Sequence, residues 1–140
     1  MRLFALALLA CLGSAASAQT VFDALSGQYG SASDPATSCA SNPHQLDFIM
    51  SPPHALFSWE TPKVGPGGEM GASERYDIET FDDGSITLRQ DGGLRRTADG
   101  SRPIWILRLT AVPRGYCWGR EDWPLVRCED QQLRCDNPTS

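Results

Sequence analysis

The chain has 140 residues and a formal net charge of −5, with 12 basic and 17 acidic residues. This acidic balance leaves no basic patch for a phosphate backbone, which argues against nucleic acid as a partner. The length is that of one domain with a single, modest hydrophobic core.

The first eighteen residues have the layout of a secretory signal peptide. Met1–Arg2 is a short positive start, Leu3–Leu12 is an apolar run, and Ala16–Ala18 is a cleavage site of small residues. The apolar run is only half as long as a transmembrane helix, which needs about 20 apolar residues. We therefore predict a signal peptide at 1–18 and no membrane span.

Cleavage there leaves one exported β-rich domain, residues 19–140, in the periplasm or secreted. Without Arg2 it has eleven basic against seventeen acidic residues, a net charge of −6. One alternative stays open, because Leu8–Cys11 resembles a lipobox, in which the cysteine is lipidated and anchors the protein to a membrane. The polar tail at 136–140 is predicted to fray.

Alternation of apolar and polar residues dominates the exported domain. Apart from one helical turn at 21–25, no run has apolar residues spaced three and four apart. A period of two is typical of strands with one buried face. It predicts strands at 45–50, 55–59, 76–79 and 86–88.

Turn signals separate these strands. Ser51–Pro53 cannot continue a ladder of hydrogen bonds, and Asp82–Ser85 is typical of a hairpin. Further breaks lie at 90–93 and 99–101. The segment 62–71 has several Pro and Gly residues and little hydrophobicity, which predicts a mobile loop.

One run differs from the others. Ile104–Leu109 begins with four apolar residues in succession, which predicts a central strand that is covered on both faces. With it, the chain has six to eight short strands and no strand–helix–strand alternation. The predicted fold class is all-β, a small antiparallel meander that closes into a barrel or a sandwich and carries disulfides.

Four cysteines remain after cleavage: Cys39, Cys117, Cys128 and Cys135. In an oxidising compartment an even number of cysteines indicates disulfides, and two bridges can pair in three ways. We expect Cys39 to pair with Cys117, and Cys128 with Cys135. The spacing of the last two is wider than that of zinc-binding cysteines, so we expect no metal site.

The sequence contains no recognisable catalytic motif. A nucleophile elbow, a phosphate-binding glycine loop and the His-Glu-x-x-His pattern are all absent from it. His44 and His54 each follow a proline, and we expect solvated loop histidines rather than general bases. Asp82–Asp83 is explained by a turn and lacks the spaced ligands of a calcium loop. We therefore predict no catalytic residue and no cofactor, and a function that is not enzymatic.

Four residues of one short segment form the candidate binding site. Tyr116, Trp118, Arg120 and Trp123 crowd around Cys117, and Tyr, Trp and Arg are enriched at binding hot spots. A disulfide would make this segment a rigid recognition surface. The alternative is that its aromatic rings pack in the core, as most tryptophans do.

The segment Leu25–Tyr29 resembles the first-strand motif of lipocalin-like and avidin-like β-barrel proteins. Gly-x-Trp is usual in that motif, and Tyr29 takes the place of the tryptophan. The resemblance implies that Tyr29 closes one end of a barrel and that the other end is a candidate pocket. No ligand-contacting residue of either family maps onto this chain.

These features predict a small exported domain that acts by binding. In one hypothesis its disulfide-held C-terminal loop binds a protein, as an inhibitor of a hydrolase, and its build is similar to that of bacterial lysozyme inhibitors. In the other, the barrel encloses a small apolar molecule, which requires a cavity of roughly several hundred Å³. An interior plugged by Trp59, Trp105 and Phe48 would exclude the second hypothesis. The third hypothesis is an enzyme, which would require His44 or His54 to meet a carboxylate within hydrogen-bond reach in a cleft. A purely structural role in the cell envelope is the fourth.

Overall fold

The alternating segments fold into eight antiparallel strands. The computed structural model describes residues 20–65 and 68–136, so the predicted signal peptide, the lipobox cysteine and the end of the tail lie outside the described residues. The elements in chain order are α1 (Val21–Leu25), β1 (Gly27–Ser31), a one-turn 3₁₀-helix (Pro35–Thr37), β2 (His44–Met50), β3 (Pro53–Val64), β4 (Met70–Phe81), β5 (Ser85–Gln90), β6 (Trp105–Ala111), β7 (Arg114–Arg120) and β8 (Glu129–Arg134).

Each strand pairs with the next one in sequence, and the last strand pairs with the first. Gly30 of β1 is the register partner of Leu133 of β8, so the sheet closes into a barrel. Closure leaves no free sheet edge. The predicted all-β meander with disulfides is confirmed, and the barrel is the form that it takes.

Apolar residues at alternating positions fill the inner part of the barrel. Leu46 and Phe57 are partners across β2 and β3, and Ile86 and Leu107 are partners across β5 and β6. All four side chains are almost inaccessible to solvent. The predicted period of two therefore corresponds to one face toward the core and one toward water.

Helix α1 covers one end of the barrel. Thr20 and Asp23 form a capping box at its start, in which each side chain bonds the backbone N–H of the other residue. The Phe22 ring packs edge-on against Phe48 and Phe81, with centroids 5.3 and 4.7 Å away. The predicted helical turn is confirmed, and it blocks this end.

The start of β1 joins the helix to the first and last strands. Tyr29 is fully buried and its Oη donates to the Leu25 carbonyl at 2.9 Å. Arg134 of β8 lies over the Tyr29 ring and donates to the Ala24 carbonyl at 3.0 Å. Gly27 has a φ of 145°, and a Cβ there would lie only 2.6 Å from Arg134 Nη2. The backbone conformation at this position therefore favours glycine, and a side chain here would also displace the Arg134 guanidinium.

The long mobile loop expected at 62–71 is wrong over half of its length, because residues 62–64 and 70–71 lie in strands. β3 continues to Val64, β4 begins at Met70, and Lys63 pairs with Gly71. The register shifts between Ser58 and Lys63. This irregularity accommodates a proline, which cannot donate to a regular ladder.

The expectation that β6 is covered on both faces is also wrong. Trp105 and Leu107 are buried, whereas Ile106 between them is only partly buried. The outer face of a single-layer barrel has no second layer over it. The apolar run thus predicted the strand but not its surroundings.

The disulfides join Cys39 to Cys135 and Cys117 to Cys128, with Cα atoms 5.4 Å apart in each bridge. The expected pairing is therefore wrong. Cys128 and Cys135 flank β8, and a strand rises about 3.4 Å per residue, so their separation far exceeds the span of a disulfide. The two bridges indicate an oxidising environment outside the cytoplasm. None of the described helices is long and apolar enough to cross a membrane.

Candidate functional site

The end of the barrel opposite α1 contains a cavity of about 700 Å³. Its wall includes residues at the C-terminal ends of β1, β3 and β5 and at the N-terminal ends of β2, β6 and β8. Residues of β4 and β7 complete it. All eight strands therefore contribute side chains, and the segments that connect them at this end form the rim.

All four tryptophans of the chain line this cavity. Trp59 belongs to β3, Trp105 begins β6, Trp118 lies on β7, and Trp123 follows that strand. The Trp105 ring packs edge-on against both Trp118 and Trp123, with centroids 6.0 Å away in each case. Tryptophan has a large surface and only two side-chain torsions, so the cluster is a rigid aromatic wall.

A buried His–Tyr pair lies at the inner end of the cavity. His44 Nε2 and Tyr116 Oη are 2.6 Å apart, and the Tyr29 ring packs against both residues. Burial, together with repulsion from Lys63, lowers the pKa of His44 to about 4. Burial also raises the pKa of Tyr116 well above its ordinary value. The pair is therefore uncharged at neutral pH.

A second polar chain follows the wall formed by β3 and β4. Lys63 Nζ lies 3.0 Å from Glu74 Oε1 and 3.9 Å from the centroid of the Trp59 ring. Tyr76 Oη donates to Glu74 Oε2 at 3.3 Å. Burial, and then the charge of Glu74, raise the pKa of Tyr76. The wall thus presents a neutralised ion pair and a neutral phenol.

Two more carboxylates lie where β1 and β8 meet the rim. Asp34 accepts hydrogen bonds from Ala36 N and Thr37 Oγ1 of the 3₁₀-helix. Asp130 Oδ1 accepts from Gln132 Nε2 at 2.9 Å. Burial raises the pKa of Asp130; Lys63 opposes this shift and Asp34 adds to it. These carboxylates are held by neutral donors.

Arginines stack on Trp123 and hold the segment after β7 against the opening. Arg120 forms two hydrogen bonds with the Asp122 carboxylate, at 2.9 and 2.7 Å, and lies 5.2 Å from the Trp123 centroid. Arg127 lies 3.9 Å from the same centroid and pairs with Glu129 at 2.8 Å. Both guanidinium groups are neutralised by neighbouring carboxylates, so they position Trp123 without leaving free charge.

The structure places three of the four predicted binding residues in the cavity wall. Tyr116, Trp118 and Trp123 line the cavity, and Arg120 stacks on Trp105 and Trp123. Their rings face the interior of the barrel rather than an outer recognition surface. Residues from other strands complete the wall, and the sequence did not assign them to a site: His44, Trp59, Lys63, Glu74, Tyr76, Trp105 and Asp130.

Both histidines lie in strands and are buried, which corrects the expectation of solvated loop residues. His44 lies two positions before Leu46 on the same inward face, so extending the alternation by one step would have found it. His54 Nδ1 is 2.7 Å from the Pro52 carbonyl oxygen. Within the described residues neither imidazole bonds a carboxylate, the usual orienting partner of a histidine base.

The cavity therefore combines aromatic walls, neutral hydrogen-bonding groups at its inner end and charged groups at its rim. This arrangement can enclose an apolar or aromatic body and bond a polar group attached to it. Across residues 20–65 and 68–136, no group of three His, Cys, Asp or Glu side chains is placed to hold a metal ion.

Comparisons of the chain with protein-family models, curated proteins and solved structures gave no match. The resemblance of Leu25–Tyr29 to lipocalin-like and avidin-like barrels therefore stays a prediction.

Proposed function

We propose that the protein is an exported binding protein, periplasmic or secreted, that encloses a small organic molecule in its barrel. One observation carries this proposal: a single cavity of about 700 Å³ is lined by every tryptophan of the chain. Small-molecule sites typically measure roughly 300–1,000 Å³ and combine apolar and aromatic walls with a few polar groups. The cavity has the size and the lining of such a site.

The interior is open where a solid barrel would be filled. Trp59 and Trp105 stand in the cavity wall, and Phe48 packs against Phe22 of helix α1 at the other end. These three side chains leave the space between the His44–Tyr116 pair and the open end of the barrel unfilled. A domain that binds only through its outer surface needs no such space, so the open interior favours the small-molecule hypothesis.

The first-strand resemblance supports the same proposal. Tyr29 is buried at the α1 end of the barrel, under the His44–Tyr116 pair. The cavity lies at the opposite end. This is the division into a closed end and an open end that a lipocalin-like or avidin-like first strand implies.

A neutral aromatic probe, N-phenyl-1-naphthylamine, is expected to bind the purified protein saturably and to quench its tryptophan fluorescence. Trp59→Ala should raise the Kd about tenfold, equivalent to about 1.4 kcal/mol, because one side of the aromatic wall is lost. Glu60→Ala changes the neighbouring exposed residue and should leave the Kd unchanged. Fluorescence titration measures all three proteins. Lack of saturable binding, or one Kd for all three, contradicts the proposal.

One surface feature favours a second function, the binding of a protein. Leu125 and Val126 are 83% and 94% exposed within the disulfide-closed segment 117–128. Arg108 of β6 donates to the Leu125 carbonyl and, with the disulfide, holds this segment in place. Exposed apolar side chains on a fixed loop can act as anchors that fill a pocket on a partner.

For this second function we expect inhibition of a secreted hydrolase such as lysozyme. Val126→Asp should raise the inhibitory concentration at least about tenfold, because a carboxylate does not enter an apolar pocket without a large cost. Trp59→Ala should leave inhibition unchanged, and Val126→Asp should leave binding of the naphthylamine probe unchanged. A lysozyme assay and the probe titration therefore separate the two functions. Full lysozyme activity at saturating protein argues against the second.

A further inference from the structure

Trp105 carries a hydrogen-bond donor that the rest of the protein does not use. Its side chain is buried, with 6% exposure, and it lines the cavity. Its Nε1 is shielded from solvent and has no hydrogen-bond partner among the residues that the structure describes. A buried N–H without an acceptor is unfavourable, because its bond to water is lost and not replaced. An acceptor from outside the chain would satisfy this donor.

Arg75 Nε is the other buried side-chain polar atom without a partner within residues 20–65 and 68–136. Arg75 nevertheless bonds Asp77 through Nη2 at 3.4 Å, and its side chain is not among those described in the cavity wall. A guanidinium has several donors, whereas an indole has only the Nε1–H group. Trp105 is therefore the buried residue whose entire hydrogen-bonding capacity is unused.

The other polar groups of the wall follow the same division between donors and acceptors. None of the four indole N–H groups donates to a residue in the described part of the chain. Each carboxylate of the wall, by contrast, already accepts at least one hydrogen bond from the protein: Asp34, Glu74, Glu129 and Asp130. The unused hydrogen-bonding groups of the aromatic wall are thus donors, and a complementary ligand supplies an acceptor.

We infer that the ligand carries an uncharged hydrogen-bond acceptor, a carbonyl oxygen on an aromatic or apolar body, to which Trp105 Nε1 donates. This inference rests on the proposed small-molecule function and adds the chemical class of the ligand. A single neutral donor does not compensate for the burial of a charge, so a carbonyl suits it better than a carboxylate. The body of the ligand packs against Trp118 and Trp123, whose rings lie edge-on to Trp105.

Access to Trp105 depends on the side chains that lie over its ring. The guanidinium of Arg120 is 5.2 Å from the ring centroid and is fixed by two hydrogen bonds to Asp122. The guanidinium of Arg95 is 5.3 Å from the same centroid. The Arg95 side chain is exposed and forms no salt bridge or hydrogen bond with another described residue. Arg95 can therefore move aside for a ligand without breaking a polar contact of the protein.

Two probes that differ in one group test this inference: 1-acetylnaphthalene has a carbonyl where 1-ethylnaphthalene has a methylene. Each competes with N-phenyl-1-naphthylamine for the exported protein, with both disulfides intact, and the fluorescence of the naphthylamine reports its displacement. Transfer from water favours the ethyl compound, because the carbonyl loses its bonds to water. We nevertheless expect the ketone to bind at least as tightly. Trp105→Phe keeps an aromatic ring without the donor, and it should weaken the ketone at least about fivefold more than the ethyl compound.

Trp59→Phe is the matched control, because it removes the same atoms from a tryptophan of the wall that is only partly buried. It should weaken both probes by the same factor. NMR of the unmodified protein gives a second readout that does not depend on a variant. The ketone should shift the indole proton signal of Trp105 downfield of its position with the ethyl compound, since the naphthalene ring is common to both probes.

The inference is overturned if the ethyl compound binds more tightly than the ketone, if Trp105→Phe weakens both probes equally, or if the Trp105 signal is the same with both. Failure of N-phenyl-1-naphthylamine itself to bind is a different result, because it removes the proposed small-molecule function.

Discussion

Replacing Cys39 and Cys135 together by serine is expected to lower the free energy of unfolding by about 5 kcal/mol. The two cysteines are 96 residues apart in sequence, so their bridge restricts most of the unfolded domain. In the chain-entropy description, a disulfide that closes a long loop removes more conformational entropy from the unfolded chain than one that closes a short loop. Urea unfolding at pH 7, followed by tryptophan fluorescence, measures the change.

The second disulfide provides the matched control. Cys117 and Cys128 are only 11 residues apart, and their joint replacement by serine should cost about 3 kcal/mol. The rank order is the critical result, because equal losses, or a larger loss for the short loop, contradict the entropic account. Probe binding should respond in the opposite order, since the short loop contains Trp123 of the cavity wall.

The strands and the all-β meander were predictable because one periodic signal specifies them, but that signal does not distinguish a barrel from a sandwich. In a closed single-layer barrel each strand has one face inside and one face in water, which is the alternation that the sequence shows. The interruption at β3 and β4 was harder to interpret. Proline and glycine between 62 and 71 indicate a break, yet β3 runs on to Val64 and β4 begins at Met70, with a register shift between Ser58 and Lys63.

The disulfide pairing was not predictable from cysteine spacing alone. Cys128 and Cys135 are close in sequence, but the six residues of β8 hold them apart. Cys39 reaches Cys135 because the connection between β1 and β2 folds back against β1, where a Cβ at Gly30 would lie 2.1 Å from the Cys39 nitrogen. That contact depends on tertiary structure, which local patterns do not report.

The cavity was only partly predictable for a similar reason. Tyr116, Trp118 and Trp123 attracted notice because they are neighbours in sequence, and all three line the cavity. Trp59 comes from β3 and Trp105 from β6, and both join them through the register of the barrel. Leu107 pairs with Trp118 across β6 and β7, which places Trp105 one inward position further along the wall. Inward register, rather than sequence clustering, defines this site.

Lowering the pH from 7 to 4 is expected to reduce the free energy of unfolding by about 3 kcal/mol through His44 alone. Burial and Lys63 lower the pKa of folded His44 to about 4, against 6.5 for the residue without these effects. Between these two values the unfolded chain binds a proton at this histidine and the folded chain does not. Stability therefore falls as the pH falls through this window and is fully present above it.

The physical cause is a site that has no place for a positive charge. Protonated His44 would lie beside the Tyr116 hydroxyl, with aromatic rings of Phe57 and Trp59 around it and the Lys63 ammonium adding repulsion. His44→Gln keeps a hydrogen-bonding side chain but cannot titrate. The change in packing caused by this substitution lowers the stability by the same amount at each pH. The difference in pH dependence between His44→Gln and the unmodified protein therefore reports the titration of the imidazole.

Urea unfolding of both proteins at pH 7, 5.5 and 4 supplies that difference, and the imidazole proton signals of His44 report its pKa directly. We expect the unmodified protein to lose more stability than His44→Gln at each step, and the ring to titrate near pH 4. Parallel losses in the two proteins, or titration near 6.5, would show that water reaches this residue. In that case water would reach the inner end of the cavity. The proposed binding site would then lack the dry, uncharged His44–Tyr116 pair at its base.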